Sequence, residues 1–346
     1  MPTGDHASRD AATGAPAGLV AAGVRWIGRV DTGDPARPRF SWSGTGFVAR
    51  FRGTSLTAAL GNEGSFILKA VVDGVPQPAF TAMPGAGRYA LATGLPAGEH
   101  TIALYRQTEG PMGLSQLHGL TVGDGALLDP PPPPQRRIEI VGDSISCGFG
   151  ILGSLDNDDC YGTESHWDAY PSVMARALGA EVSTIAGSGR GVVRNYPGDS
   201  IDTMPEIYER TLATTPRPTW SFGSEPQAVI INLGTNDLGN GKGDPGRRFA
   251  TIYQSLVETI RSRYAGALIL CTIGPLTSRA ESEIVCGHIR TALQARAAAG
   301  DSRTVLFDGI DPQTPDKYAC AYHPNVAENA LMAAQLCDEL RAHLGW

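Results

Sequence analysis

Polar and apolar residues alternate with a period of two through the first third of the chain. Ser55-Leu56-Thr57-Ala58-Ala59-Leu60 and His100-Thr101-Ile102-Ala103-Leu104-Tyr105-Arg106 show it most plainly. Such alternation marks strands with one face in a core and the other toward solvent. Val24 to Val30, Arg39 to Trp42, Gly46 to Phe51, Phe66 to Val72, Tyr89 to Ala92 and Leu117 to Val122 are further strand candidates, separated by Gly, Pro, Asn or Asp. No long helical pattern interrupts them, so residues 19–128 predict an all-β sandwich or jelly roll.

Five consecutive prolines, Pro130 to Pro134, then exclude a sheet or helix interior. Residues 129–135 read as an extended, semi-rigid spacer between domains. From residue 136 onward the pattern changes. Strand-like apolar runs at 138–141, 181–185, 228–232, 267–272 and 304–307 alternate with helical segments. The helices are predicted over 168–178, 201–212, 245–264, 282–299 and 325–344, with Asn325 as a helix N-cap. Five β-then-α units predict a three-layer α/β domain over 136–346, with a five-stranded parallel sheet.

The bulk numbers narrow the partners. The chain has 346 residues, 42% hydrophobic and 18% charged, which suits two packed domains. A net charge of −7 without a basic block argues against nucleic acid or an anionic membrane and favours a neutral or mildly polar substrate. No apolar run is long enough to span a bilayer. Residues 1–18 are rich in Ala, Gly, Asp and Pro and lack an apolar signal-peptide segment. They are expected to be a disordered tail, or the trimmed start of an exported protein.

Six cysteines include no CxxC pair and no zinc-like spacing, so no metal is expected. Cys147 and Cys160 flank one loop; a disulfide between them and a pair of buried thiols are both open readings. The run Asp156-Asn157-Asp158-Asp159 lacks the spacing and closing Glu of a calcium loop and reads as a solvated turn.

Four short blocks fall at strand ends, where an open α/β sheet binds its ligands. They are Gly142-Asp143-Ser144, Gly187-Ser188-Gly189-Arg190-Gly191, Gly234-Thr235-Asn236-Asp237 and Tyr322-His323-Pro324. Each is weak alone. A serine needs a base and a place for the developing oxyanion, and together the blocks offer both. In this order they resemble the SGNH (GDSL-type) hydrolases. The resemblance implies Ser144 as nucleophile and His323 as base, with Ser144, Gly189 and Asn236 forming the oxyanion hole; Gly191 competes with Gly189.

The turns Trp42-Ser43-Gly44-Thr45, Val72-Asp73-Gly74, Gly98-Glu99-His100-Thr101 and Thr108-Glu109-Gly110 are similar to the jelly roll of carbohydrate esterase family 2. Cys147-Gly148-Phe149-Gly150, Arg190 to Asn195 and Tyr322-His323-Pro324-Asn325 are similar to that family too. The resemblance implies removal of acetyl groups from acetylated polysaccharides or oligosaccharides of xylan or mannan type. It implies no cofactor, and export to the periplasm or medium. A carbohydrate-binding protein with a decayed site, and an esterase for non-carbohydrate acyl groups, are the rival readings.

One position departs from the pattern. The family places an Asp two or three residues before the histidine, and here those residues are Ala321 and Cys320. Three arrangements are open. A backbone carbonyl orients His323 in a Ser–His dyad, which is the favoured one. Alternatively Asp308, Asp311 or Asp316 folds back, or the acid is lost and activity falls. His166 is a rival base. Asp143, Tyr322, Trp167 and Trp346 are candidate substrate contacts; Tyr161 is a further aromatic for a sugar platform.

Overall fold

A computed structural model describes residues 23–239 and 241–346. The tail expected at 1–18 lies outside the described residues. The chain divides into two compact units. One comprises residues up to Pro133 with Thr211–Pro218, the other Pro134–Arg210 with Thr219–Trp346.

The first unit is all β. Its strands are β1 (Val24–Ile27), β2 (Arg39–Phe40), β3 (Gly46–Gly53), β4 (Ser55–Asn62), β5 (Phe66–Val72), β6 (Val75–Pro76), β7 (Phe80–Ala82), β8 (Gly85–Ala92), β9 (Gly98–Arg106), β10 (Ser115–Gly123) and β11 (Ala126–Leu128). One sheet runs β1-β3-β9-β5-β6, with β11 on β3 and β7 on β5; the other runs β2-β10-β4-β8. All pairings are antiparallel. The alternation seen in the sequence is the packing: every second residue of β4 is buried. Phe47, Phe51, Leu68, Ile102 and Leu104 from one sheet meet Leu56, Leu60 and Leu117 from the other in a single core. The three short strands β6, β7 and β11 lie between or beyond the strand candidates of the sequence.

The second unit is a three-layer α/β fold. Its strands β12 (Arg136–Gly142), β13 (Ala180–Ala186), β14 (Ala228–Asn232), β15 (Leu268–Thr272) and β16 (Thr304–Leu306) form one sheet, ordered β13-β12-β14-β15-β16. Every pair is parallel. Ile138 and Ile140 point to one face, where Ala228, Ile230, Leu268 and Leu270 pack with Tyr170, Met174, Met332 and Leu336. Glu139 points to the other face, where its carboxylate accepts from the hydroxyls of Tyr208 at 2.7 Å and Tyr264 at 3.0 Å.

The helices are α1 (Ser144–Cys147), α2 (Tyr170–Leu178), α3 (Met204–Ile207), α4 (Thr235–Leu238), α5 (Arg247–Arg263), α6 (Arg279–Ala298) and α7 (Val326–Leu344). Asn325 caps α7 by accepting from the N–H of Glu328 at 3.1 Å. The helix expected over 201–212 is corrected to the four residues of α3. Thr203 and Glu206 open it with a capping box. Beyond it Arg210 pairs with Thr219 in an antiparallel bridge, and residues 211–218 join the first unit. Within that unit Thr211 O accepts from the Trp42 indole at 3.0 Å, and Ser41 Oγ accepts from Ala213 N at 2.9 Å.

Candidate active site

The parallel register assembles the site. Gly142 pairs with Ala186 on one side and with Asn232 on the other. The three strands therefore end at one level, and neighbouring strands lie about 4.8 Å apart. The segments that follow them, beginning at Asp143, Gly187 and Leu233, leave the sheet side by side. The strand order reverses at β12, so Ser144 opens on the crevice where ligands bind in such sheets.

Ser144 begins α1. Asp143 is fully buried, and its side chain accepts from the N–H of Ile145 at 3.1 Å and from Asn236 Nδ2 at 3.2 Å. The same Asn236 nitrogen donates to Arg190 O at 2.9 Å. One amide thus ties together the segments after β12, β13 and β14. Asp237 adds a second tie. Its buried carboxylate accepts from the N–H of Val192 and Val193, both at 2.8 Å, and of Arg194 at 3.2 Å. Burial pushes its pKa up, and those three N–H groups act in the opposite sense. Nothing in the Gly234-Thr235-Asn236-Asp237 block by itself points to this role of Asp237, since its partners are 43 to 45 residues away.

Gly189 and Gly191 have different jobs. Gly189 has φ +76°, a conformation that favours glycine. The N–H groups of Ser144 and Gly189 have no acceptor among the described residues. Gly191 instead donates to Asn195 Oδ1 at 3.1 Å, and a Cβ there would lie 2.8 Å from Asp237 Oδ2. It is small to let the loop close on that carboxylate.

His323 reaches the serine from the far end of the sequence. Its Nε2 lies 2.8 Å from Ser144 Oγ, and its Nδ1 lies 3.1 Å from the carbonyl oxygen of Ala321. A carbonyl only accepts, so Nδ1 carries the hydrogen and Nε2 presents its lone pair to the serine hydroxyl. Burial lowers the His323 pKa to about 4, although the Ala321 and Cys320 backbone carbonyls act in the opposite direction. The imidazole is thus neutral at ordinary pH and free to accept a proton. Asp308 pairs with Arg290, Asp311 with Arg279, and Asp316 with Thr314. None of the three bonds to His323 among the described residues.

Comparison with known proteins fits this geometry. Residues 26–132 match the carbohydrate esterase 2 N-terminal family, and residues 140–331 match the GDSL-like lipase/acylhydrolase family. A solved family two carbohydrate esterase from Clostridium thermocellum, in complex with cellohexaose, superposes with a TM-score of 0.89 at 32% identity. That match covers 94% of this chain and 100% of that one. The chain belongs to the GDSL-like hydrolases and, within them, to the family 2 carbohydrate esterases. A cellulase/esterase of Acetivibrio thermocellus is 32% identical over 94% of this chain, which spans 40% of that relative's length. An acetylxylan esterase/glucomannan deacetylase of Cellvibrio japonicus is 26% identical over 93% of this chain and 89% of its own.

Several residues of this family 2 chain stand elsewhere than expected. Cys160 is bonded to Cys320, not to Cys147. Cys147 faces inward from α1 as a buried thiol, whereas the loop carrying Cys160 folds onto the segment before His323. His166 is buried, with its ring nitrogens bonded to Thr184 and Ser172, both at 2.9 Å; burial lowers its pKa to about 3. It is a core residue, with both ring nitrogens already bonded. Asp143 braces its turn and has no surface for a substrate. Trp346 lies against the core under the Arg136 guanidinium. Arg136 opens β12 and Ser144 follows its other end, about 20 Å away at the usual rise per residue. Trp167 stacks under Arg176 of α2 at 4.0 Å.

Tyr322 and Tyr161 remain at the site's rim. Tyr322 is 61% exposed and Tyr161 37%. Phe149 lies 4.9 Å ring to ring from both Tyr161 and His323. Asn157 and Asp159 of the acidic run bond within their own exposed turn, to Ser154 and to Gly162 N.

Proposed function

We propose that this chain is a serine esterase that removes acetyl groups from acetylated polysaccharides or oligosaccharides of xylan or mannan type. The observation that carries the reading is the 2.8 Å contact from His323 Nε2 to Ser144 Oγ, together with the N–H groups of Ser144 and Gly189, which have no acceptor among the described residues. Ser144 Oγ attacks the acetyl carbonyl carbon while His323 Nε2 takes the hydroxyl proton. Negative charge moves to the carbonyl oxygen, where the N–H groups of Ser144 and Gly189 receive it. His323 then passes its proton to the sugar oxygen as the C–O bond breaks. Water, deprotonated by the same nitrogen, releases acetate from the acetyl-serine.

Asn236 is the third oxyanion donor in this reading. Both of its Nδ2 hydrogens are directed elsewhere at rest, to Asp143 and Arg190, so it exchanges one of those acceptors for the oxyanion. The Ala321 carbonyl fixes the tautomer of His323 and supplies a dipole where a serine protease has a full charge. Loss of that charge costs up to about 10⁴ in kcat in a protease, so the dyad works with less stabilisation of the imidazolium.

Support for a sugar substrate comes from exposed Tyr322 and Tyr161 beside the dyad, whose faces suit pyranose rings, and from relatives described as acting on xylan and glucomannan. The disulfide suits an oxidising compartment, in keeping with export. Among the described residues no helix is long and apolar enough to cross a membrane.

The test is acetate release from acetylated xylan, acetylated glucomannan and 4-nitrophenyl acetate. Wild type should turn over all three, and Ser144→Ala none. Binding of deacetylated oligosaccharide without turnover of any ester would replace this reading by a non-catalytic carbohydrate-binding one.

A further inference from the structure

The turn that carries His323 is strained and is tied down from outside. Ala321 and Tyr322 have φ of 51° and 63°. Residues other than glycine rarely adopt this left-handed region; it costs about 1–3 kcal/mol each and persists where the surroundings impose it. This conformation directs the Ala321 carbonyl back to Nδ1 of His323.

Much of what imposes it comes from the loop after the nucleophile, residues 148–163. Cys160 is covalently bonded to Cys320, the residue that opens the turn. Cys320 N donates to Gly150 O at 3.3 Å. A Cβ at Gly150 or Gly153 would lie 2.8 or 2.9 Å from the Cys320 Cβ, so the turn is seated directly on that loop. From the other side, Gln313 Nε2 donates to Tyr322 O at 2.5 Å, and Ala319 N donates to His323 O at 2.7 Å.

We propose that the Cys160–Cys320 disulfide is a positioning element for His323. Closed, it holds Ala321 and Tyr322 in the left-handed turn and keeps the carbonyl on Nδ1. Open, it lets the strained turn relax, and the imidazole loses both its fixed tautomer and its aim at Ser144. Neither cysteine touches substrate; both act through the histidine. The inference rests on the reading of Ser144 and His323 as nucleophile and base.

The other four cysteines are buried thiols, so a reductant has one disulfide to open. The experiment compares three samples of the full chain on 4-nitrophenyl acetate. They are the oxidised wild type, the wild type reduced by a phosphine until two further thiols are counted, and Cys160→Ser. Circular dichroism and a melting curve check that each is folded at the assay temperature. Displacement of a catalytic group by about 1 Å costs roughly 10²-fold. We expect kcat to fall by about that factor in the reduced and substituted samples, with KM within twofold. Inactivation of Ser144 by a sulfonyl fluoride should slow in parallel. Reoxidation should restore the wild type and leave Cys160→Ser unchanged.

An unaltered kcat with the two thiols counted overturns the proposal. So does a loss of activity that occurs only with loss of the folded signal, which would make the bond a staple of the fold alone. If Cys160→Ser does not fold, the reduced wild type decides below its melting temperature. Ser144→Ala separates the two claims. Turnover in that variant removes the nucleophile reading itself, whereas an inactive Ser144→Ala beside a redox-insensitive kcat removes only the role of the disulfide.

Discussion

Ser144 sits in a turn that its own sequence neighbours build. Asp143 caps α1, Gly148 ends it with a φ of 82°, and β12 delivers the serine from a fully paired strand. His323 sits in a turn that its neighbours strain and distant residues restrain. Its acceptor is a carbonyl two residues back, and its anchor is a cysteine 160 residues away from the one it joins. The proposed nucleophile is therefore held by local geometry, and the proposed base by long-range closure. In the chain-entropy picture a loop of that length lowers the entropy of the unfolded chain by the equivalent of roughly 5 kcal/mol, so on the proposed reading one bond serves both the stability of the unit and the geometry of His323.

The contrast can be broken most severely at its two ends. Ser144→Ala and His323→Ala should each lower kcat by about 10⁴–10⁶-fold, since members of such a unit fail together. A stopped-flow assay should show no acetyl-enzyme burst in either. If His323→Ala retains more than a tenth of wild-type activity, another base serves and the two-sided picture is wrong.

Asn236→Ala comes next, because Asn236 belongs to the nucleophile side and bridges three segments. Loss of one oxyanion donor costs about 10²–10³-fold in kcat, and the lost tie to Asp143 should lower the melting temperature as well. A fall in kcat without any thermal effect would mean that the contact to Asp143 is dispensable.

The pH profile probes the histidine side without substitution. Burial disfavours the charged ring and lowers its pKa to about 4. The neutral base then persists down to that pH. The profile of kcat/KM should be flat from about pH 5 upward and fall below about 4. Phe149→Ala, which opens the ring to water, should move the acid limb toward the ordinary value near 6.5 and cost about tenfold at pH 5. An acid limb at 6.5 in the wild type would show that the ring is solvated in the working enzyme.

A smaller effect is expected from Asp237→Asn, which keeps the shape but removes the charge that accepts three N–H groups. It should lower kcat by less than about tenfold and cost about 1–3 kcal/mol of stability, read by urea unfolding. Trp346→Ala marks the floor of the scale. That residue packs at the other end of β12, so kcat should stay within about twofold while the melting temperature falls.

Much of this site is written locally. The alternation of Ser55 to Leu60, the apolar runs of the second unit and the glycine-bearing blocks after its strands depend on near neighbours, and each keeps its meaning when read alone. They settle the two-sheet β unit, the parallel sheet and the four blocks in order, because periodicity and turn chemistry are properties of short segments. The partner of Cys160, the two jobs of Gly189 and Gly191, the bonds of Asp237 and the burial of His166 are of another kind. Each is a contact between residues far apart in the chain, and its cause is the register of β12 between β13 and β14 or the folding of the 148–163 loop onto Cys320. The sequence by itself determined that a serine stands at a strand end and that a histidine precedes the last helix. Only the tertiary structure decided what holds that histidine, because a backbone carbonyl has no letter of its own, and a left-handed turn at Ala321 and Tyr322 exists only where the rest of the fold compels it.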